Sequence, residues 1–425
     1  MRYSVLSGEE AARREARQPT ETPGGHWARL GDHTVVWMAD TDWTAAQGGG
    51  GVELLVDAAE AREATGRLYL VVQVGREFQR EHPSARVVVD KGRHLIVDLR
   101  ADELAGVGTA ELCWMVRPLP ADRVLVDRPP PPAARAPTPE IQALVASLSQ
   151  DSYVSFLTQL ATVATRHSLS QQFGEAARHA VDTFVGLGYQ ASLQPITVHG
   201  TTSHNVVADR PGRAQEPRDL VLVTAHLDSV NRAGGVGAAA PGADDNASGA
   251  AGVLEIGRVL AQHDGAHDLR LILFGGEEQG LFGSSQYVAG LPAAERARIR
   301  AVVNMDMVAT LNTPDPTVLL EGGAVSQPLM AELADAAATY TSLMVETSLN
   351  PFASDHVPFI NAAIPAVLTI EGADSANGNI HTANDTLDHI DFPLALEILR
   401  MNLATTVTQL GPPVALVCPR FRGGG

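Results

Sequence analysis

Apolar residues along this chain are arranged in two textures, with a change near residue 130. Before it come short runs rich in Val, Ile, Leu and Tyr at Thr34–Met38, Val52–Asp57, Arg67–Gly75, Ala85–Val89, His94–Asp98, Glu111–Arg117 and Arg123–Asp127. Their length, β-branched content and intervening turn residues predict a separate β-rich domain over residues 1–127. Residues 1–30 are polar and broken by Gly and Pro, which predicts a poorly ordered start. The stretch 128–139, RPPPPAARAPTP, predicts an extended, semi-rigid linker.

Beyond the linker, helical and strand patterns alternate. Amphipathic helices are predicted over 140–165 and 169–186, a strand pair at Ala191–His199 and Asn205–Asp209, and strands at Leu220–Ala225, Leu269–Phe274, Ala301–Met305, Thr317–Glu321 and Ala366–Ile370. Helices are predicted at Ser248–Gln262, Gln327–Tyr340 and Phe392–Leu410. This order predicts an α/β domain over 140–415, a mostly parallel mixed sheet flanked by helices, with ligands at the carboxyl ends of its strands. No internal repeat is visible.

The 425 residues are ample for two domains with sizeable cores. Net charge is −18, with 49 acidic against 31 basic residues, which disfavours a nucleic-acid partner and an anionic membrane surface. Two cysteines, Cys113 and Cys418, exclude a disulfide framework or cysteine zinc finger but leave one bridge open. The residues after Met1 lack the apolar core of a secretory leader, and no run of 18 apolar residues follows. A soluble chain is therefore expected, without a membrane partner.

Candidate chemistry gathers where apolar runs give way to Gly, Asp and Asn. His226 and Asp228 follow the run Leu220–Ala225, as a histidine and the carboxylate that could fix its tautomer. Asp244 and Asp245 stand in PGADDNASG ahead of a helix, Glu277 and Glu278 in GGEEQG after a strand. Asp306 interrupts the apolar run NMDM, where an unpaired carboxylate is costly to bury. His381 lies in the polar block IHTANDT. Taken singly, most of these blocks are explained as well by helix caps and solvated turns. Together, His226 and His381 with Asp245, Glu277, Glu278 and Asp306 are the two imidazoles and four carboxylates that a paired-metal hydrolase needs, in which one Glu can bind metal while its neighbour shuttles a proton.

The blocks HLDS, PGADDNASG, GGEEQGLFGS, NMDM, SDHVPF and IHTANDT, in this order between about Ser203 and Leu410, resemble the M28 family of co-catalytic zinc peptidases, the bacterial leucyl-type aminopeptidases. The resemblance implies a phosphorylase/hydrolase-like catalytic domain over 140–415 with two zinc ions. His226 and Asp306 would hold one, Glu278 and His381 the other, and Asp245 would bridge them. Glu277 would be the general base and Asp228 the partner of His226. Asp245 is favoured over Asp244 because it matches the carboxylate four residues before the Gly of D-x-A-S-G, and a cis peptide is implied after it. Many relatives carry a tyrosine near the last histidine or near SDH to stabilise the oxyanion. No tyrosine matches either place here.

The implied activity is removal of N-terminal residues from peptides, with a secreted or periplasmic location implied by the family and a cytoplasmic one left open by the absent leader. The alternatives are a carboxypeptidase or amino-sugar amidase, a one-zinc glutaminyl-cyclase-like acyltransferase, and a silent binding protein of the same fold. Ser354-Asp355-His356 cannot form a Ser-His-Asp relay from contiguous side chains and is read as a turn starting a helix near the pocket. Gly234–Ala238 lacks the context of a dinucleotide loop and is read as a surface loop beside the site. Residues 1–127 are expected to shield the active site or to aid folding. Side-chain preference and oligomeric state are not fixed by sequence.

Overall fold

The computed structural model describes residues 1–8, 25–40, 62–107 and 113–412. The expected strand Val52–Asp57, the first residues of the run Glu111–Arg117 and Cys418, with any pairing to Cys113, lie outside them.

The N-terminal part supplies β1 (Arg2–Leu6), β2 (Gly25–Leu30), β3 (His33–Met38), β4 (Arg62–Glu63), β5 (Arg67–Gln73), β6 (Arg86–Lys91), β7 (His94–Leu99), β8 (Trp114–Pro118) and β9 (Arg123–Asp127). After the linker come β10 (Gln190–Val198), β11 (Thr201–Arg210), β12 (Leu220–His226), β13 (Asp268–Phe274), β14 (Ile299–Met305), β15 (Thr317–Gly322), β16 (Met344–Ser348) and β17 (Ala366–Glu371). Two segments of the polar start, Arg2–Leu6 and Gly25–Leu30, are strands rather than loose chain. They pair on either side of β3, and Tyr3, Ala28 and Leu30 become fully buried there. A local polarity argument cannot anticipate such long-range pairing.

The central strands β13-β12-β14-β17 run parallel; on one side β11 pairs antiparallel with β13 and β10 antiparallel with β11, and on the other β15 pairs antiparallel with β17 and β16 runs parallel to β15. Every residue of β12, LVLVTAH, is buried, as a strand covered on both faces requires. Helices Pro139–Ala146, Gln150–Ala161, Gln171–Gly186, Gly249–Leu260 and Phe392–Leu410 pack one large core around Val221, Val223 and Leu271. On the other face Phe274, Tyr287 and Phe359 close a smaller core. The helix expected over 140–165 is broken at Ser147–Ser149, because the Ser149 hydroxyl accepts from Ser152 N and starts a new helix.

The N-terminal β-rich unit has its own four-stranded antiparallel sheet, β6-β7-β5-β8. Its other strands extend the large sheet: β9 pairs with β16, and β2, β3, β1 and β4 follow, giving 13 strands among the described residues. In β5, Leu68, Leu70 and Val72 point one way and Tyr69 and Val71 the other, the period of two expected for a strand. The first set shares a core with Leu319, Leu368, Ile370 and Ile380 of the second part of the chain. That shared core seats the N-terminal unit beside the ends of β14 and β17.

Candidate metal centre and active site

Each candidate residue leaves the carboxyl end of a strand or the loop after it. His226 ends β12, Glu277 and Glu278 follow β13, Asp306 follows β14, and His381 lies beyond β17. Asp245 stands in the loop ahead of Gly249–Leu260. The parallel register of β12, β13, β14 and β17 brings these ends to one edge of the sheet, where an open α/β sheet leaves room for a ligand.

Asp245 sits between the two imidazoles. Its Oδ1 is 3.2 Å from His226 Nε2 and its Oδ2 is 3.0 Å from His381 Nε2. A further carboxylate approaches the same nitrogen of each ring: Asp306 Oδ1, 3.2 Å from His226 Nε2, and Glu278 Oε2, 3.1 Å from His381 Nε2. Single donor atoms of His226, Glu277 and Asp306, and of His226, Asp245 and Glu278, lie within 4.8 Å of one another. All six candidates, remote in sequence, are thus brought together. The peptide Asp245–Asn246 is cis.

Asp244 goes elsewhere. Its carboxylate turns inward to accept from Ala309 N at 3.0 Å and Asn377 Nδ2 at 2.8 Å. Asp228 faces His226 Nδ1 at 3.7 Å, while its backbone carbonyl is nearer at 3.1 Å. The same carboxylate accepts the amides of Glu277 and Glu278 at 3.3 and 3.2 Å. Asp228 therefore ties the histidine strand to the paired glutamates.

Two supporting residues were not assigned from sequence. Asp385 accepts the amides of Asp244 and Asp245 at 2.9 and 3.0 Å, fixing the backbone that aims Asp245. Ser354 donates to Asp306 Oδ2 at 2.7 Å and accepts from Asn304 Nδ2 at 3.0 Å. The helix His356–Asn361 follows it, as the turn reading expected. Both residues lay inside blocks already singled out, but a hydrogen bond to a backbone amide 140 residues away leaves no local signal.

The electrostatics reflect crowded acids in little water. Burial and the neighbouring charges of Asp306, Asp355 and Glu278 raise Glu277 well above the usual glutamate range, although His226 pulls the other way. Burial, with Asp245 beside it, also raises Glu278. Asp245 is held low against its burial by hydrogen bonds from His226 and His381. Burial alone would depress both histidines, but their carboxylate neighbours raise them well above normal.

Buried acids at this density need cations, and the donors suit one metal class. Imidazole nitrogens with carboxylate oxygens match zinc, and Glu278 Oε1 is buried without a hydrogen-bond partner. The residues present fit a zinc site. Around them lies a cleft of about 240 Å³ whose apolar lining includes Met307, Phe352, Val357 and Ile370, with Val74 and Cys113 from the N-terminal unit.

Residues 205–406 match peptidase family M28. The matched region is a metallopeptidase domain of that family. It is 32% identical over 255 residues to leupeptin-inactivating enzyme 1 of Streptomyces exfoliatus, covering 58% of this chain and 53% of that protein. This chain thus spans about half the length of that relative. The probable leucine aminopeptidase 1 of Trichophyton verrucosum is 27% identical over 291 residues, covering 64% of this chain and 76% of its own. Among solved structures, BSAP, a zinc aminopeptidase from Bacillus subtilis, superposes with a TM-score of 0.54 at 18% identity, over 63% of this chain and 97% of its own. That likeness is one of fold. The family match begins at residue 205, so the N-terminal unit and the linker lie outside it.

Proposed function

We propose that this chain is a two-zinc aminopeptidase that removes N-terminal residues from peptides. The observation that carries the reading is the reach of Asp245 to both imidazoles, one oxygen to each, at 3.2 and 3.0 Å. His226 and Asp306 would hold one ion, His381 and Glu278 the other, with Asp245 between. Bound there, a zinc pair supplies Lewis acidity and a water whose pKa falls toward about 7.

The remaining chemistry belongs to the chain. Glu277 reaches the cleft without being needed as a ligand, so its carboxylate is free to take a proton there. It takes the proton of the attacking water at a carboxylate oxygen and returns it to the leaving amine. Asp228, through the amides of Glu277 and Glu278, keeps that carboxylate aimed. The acidic walls attract a substrate's free α-ammonium group, and the apolar lining accepts its side chain. No tyrosine is among the described residues lining the cleft, which leaves metal and guanidinium groups to meet the oxyanion's charge. The N-terminal unit, by closing one wall with Val74 and Cys113, favours short peptides over folded protein.

Metal counting on purified protein, with assays of aminoacyl anilides against N-blocked peptides, tests this reading. Two zinc ions per chain at saturation and cleavage of unblocked substrates alone are expected. One zinc per chain would turn the reading to a cyclase-like acyltransferase, and cleavage of blocked substrates alone would refute it.

A further inference from the structure

Each imidazole of the centre has one nitrogen among the carboxylates and a second that faces away. For His226 the outer nitrogen, Nδ1, looks at Asp228, whose Oδ1 is 3.7 Å off. For His381 the outer nitrogen looks beyond the M28 match altogether, toward the helix Glu77–Glu81 of the N-terminal unit. Glu77 Oε1 stands 3.7 Å from His381 Nδ1. That oxygen is buried without a hydrogen-bond partner, although Arg80 Nη2 forms an ion pair with it at 2.9 Å.

Resting on the two-zinc reading, we infer that Glu77 is the positioning residue of His381, so that the N-terminal unit completes the metal centre. A cation on Nε2 requires the lone pair there and leaves the ring proton on Nδ1, which then needs an acceptor. Arg232 Nε lies 3.0 Å from Nδ1 but can only donate, so it suits the opposite tautomer. Glu77 is the acceptor within reach. The two side chains compete for one ring nitrogen: the guanidinium caps it when Nε2 carries the proton, the carboxylate when Nδ1 does.

The exchange is small. Arg232 Nε is already 3.9 Å from Glu77 Oε1, so the guanidinium gives up Nδ1 without leaving the ion cluster. The carboxylate closes by roughly 1 Å to reach hydrogen-bond distance. Both ends of the pair are fixed by packing. Phe78, beside Glu77, is fully buried edge-on to Trp114 at 5.5 Å between ring centroids, and Ile380, beside His381, is fully buried in the core shared with Leu70 and Val72. The amide of Arg232 also donates to the carbonyl of His381 at 3.1 Å.

The test measures zinc binding by chelator competition in the full-length chain and in Glu77→Leu, which is close in size and has no acceptor for the ring proton. Two sites are expected in the unaltered chain. In the variant one of them should weaken 10- to 100-fold, the range typical of losing a histidine's outer partner, while the other stays within about threefold. Nitrogen-15 histidine NMR of the unaltered chain should show, on zinc addition, a protected proton on His381 Nδ1, and this readout stands even if the variant does not fold. Two sites of unchanged affinity in Glu77→Leu, or no such proton in the two-zinc protein, would overturn the role of Glu77 alone. Fewer than two sites in the unaltered chain would overturn the two-zinc reading itself.

Discussion

Arg93 and Glu321 meet as a two-pronged ion pair across the seam between the N-terminal unit and the M28 domain, Nε to Oε2 and Nη2 to Oε1, both at 3.1 Å. Both side chains are almost wholly removed from water, with Asp374 3.5 Å from Arg93 Nη1 and His356 3.4 Å from Glu321 Oε1. Arg93 also lines the cleft. The seam is therefore held by fixed charges as well as by the shared apolar core.

Removing one partner of such a pair leaves the other charge buried and uncompensated. Arg93→Ala should cost about 3–5 kcal/mol of stability, and Glu321→Ala a similar amount. The double variant should cost clearly less than the two combined, because the two losses share one interaction. Urea unfolding of the four proteins measures this, and additive losses would show that the pair is not coupled.

Loss of the base should separate chemistry from metal binding. Glu277→Gln keeps the shape of the cleft wall but has no carboxylate to take a proton, so kcat should fall by about 10²- to 10⁴-fold. Zinc content, measured by elemental analysis, should not change. In the unaltered enzyme the working form is the carboxylate, so activity should decline as pH falls and Glu277 takes up a proton. A variant that lost metal along with turnover would make Glu277 a ligand.

Much of this was legible in the sequence, and the limits have a physical pattern. The run LVLVTAH announced a doubly covered strand, and the Asp and Glu blocks announced a site, because both signals are local. The strands at Arg2–Leu6 and Gly25–Leu30 were hidden, since what stabilises them is pairing with β3 and, for β2, with β9 nearly 100 residues on. The continuity of the N-terminal strands with the catalytic sheet was hidden for the same reason. It rests on the short pairing of Val126 and Asp127 with Ser348 and Thr347. Asp385 and Glu77 act at positions that only the folded chain brings near the ligands.

Asp385 carries a prediction of its own. It accepts two backbone amides of the loop that presents Asp245, and that loop is buried. Asp385→Ala leaves both donors without an acceptor, at about 1–3 kcal/mol each. Asp385→Asn keeps one acceptor and should fall between the alanine variant and the unaltered chain. Thermal unfolding orders the three, and kcat/KM for an aminoacyl anilide should follow the same order if the loop's hold on Asp245 is what is lost.

The seam should also give stability a measurable acid limb through His94. Its ring is buried, 3.2 Å from Ser348 Oγ and 3.7 Å from Glu321 Oε2. Burial, joined by the charges of Arg93 and Arg117, pushes its pKa down to about 4 even though Glu321 opposes this. In the unfolded chain the ring titrates near 6.5. Between these values the unfolded state binds a proton that the folded state refuses, so stability falls as pH drops from 6.5 toward 4 and is fully present above 6.5. The loss amounts to about 3 kcal/mol at most. Asp374 acts in the opposite sense. Burial, against the pull of Arg93, raises it to about 6, so its uptake of a proton favours the folded state as pH drops below that value. The contribution of His94 is therefore read as a difference. The unfolding midpoint of the unaltered chain should drop more steeply between pH 6.5 and 4 than that of His94→Gln, and parallel curves would show that His94 does not titrate on unfolding.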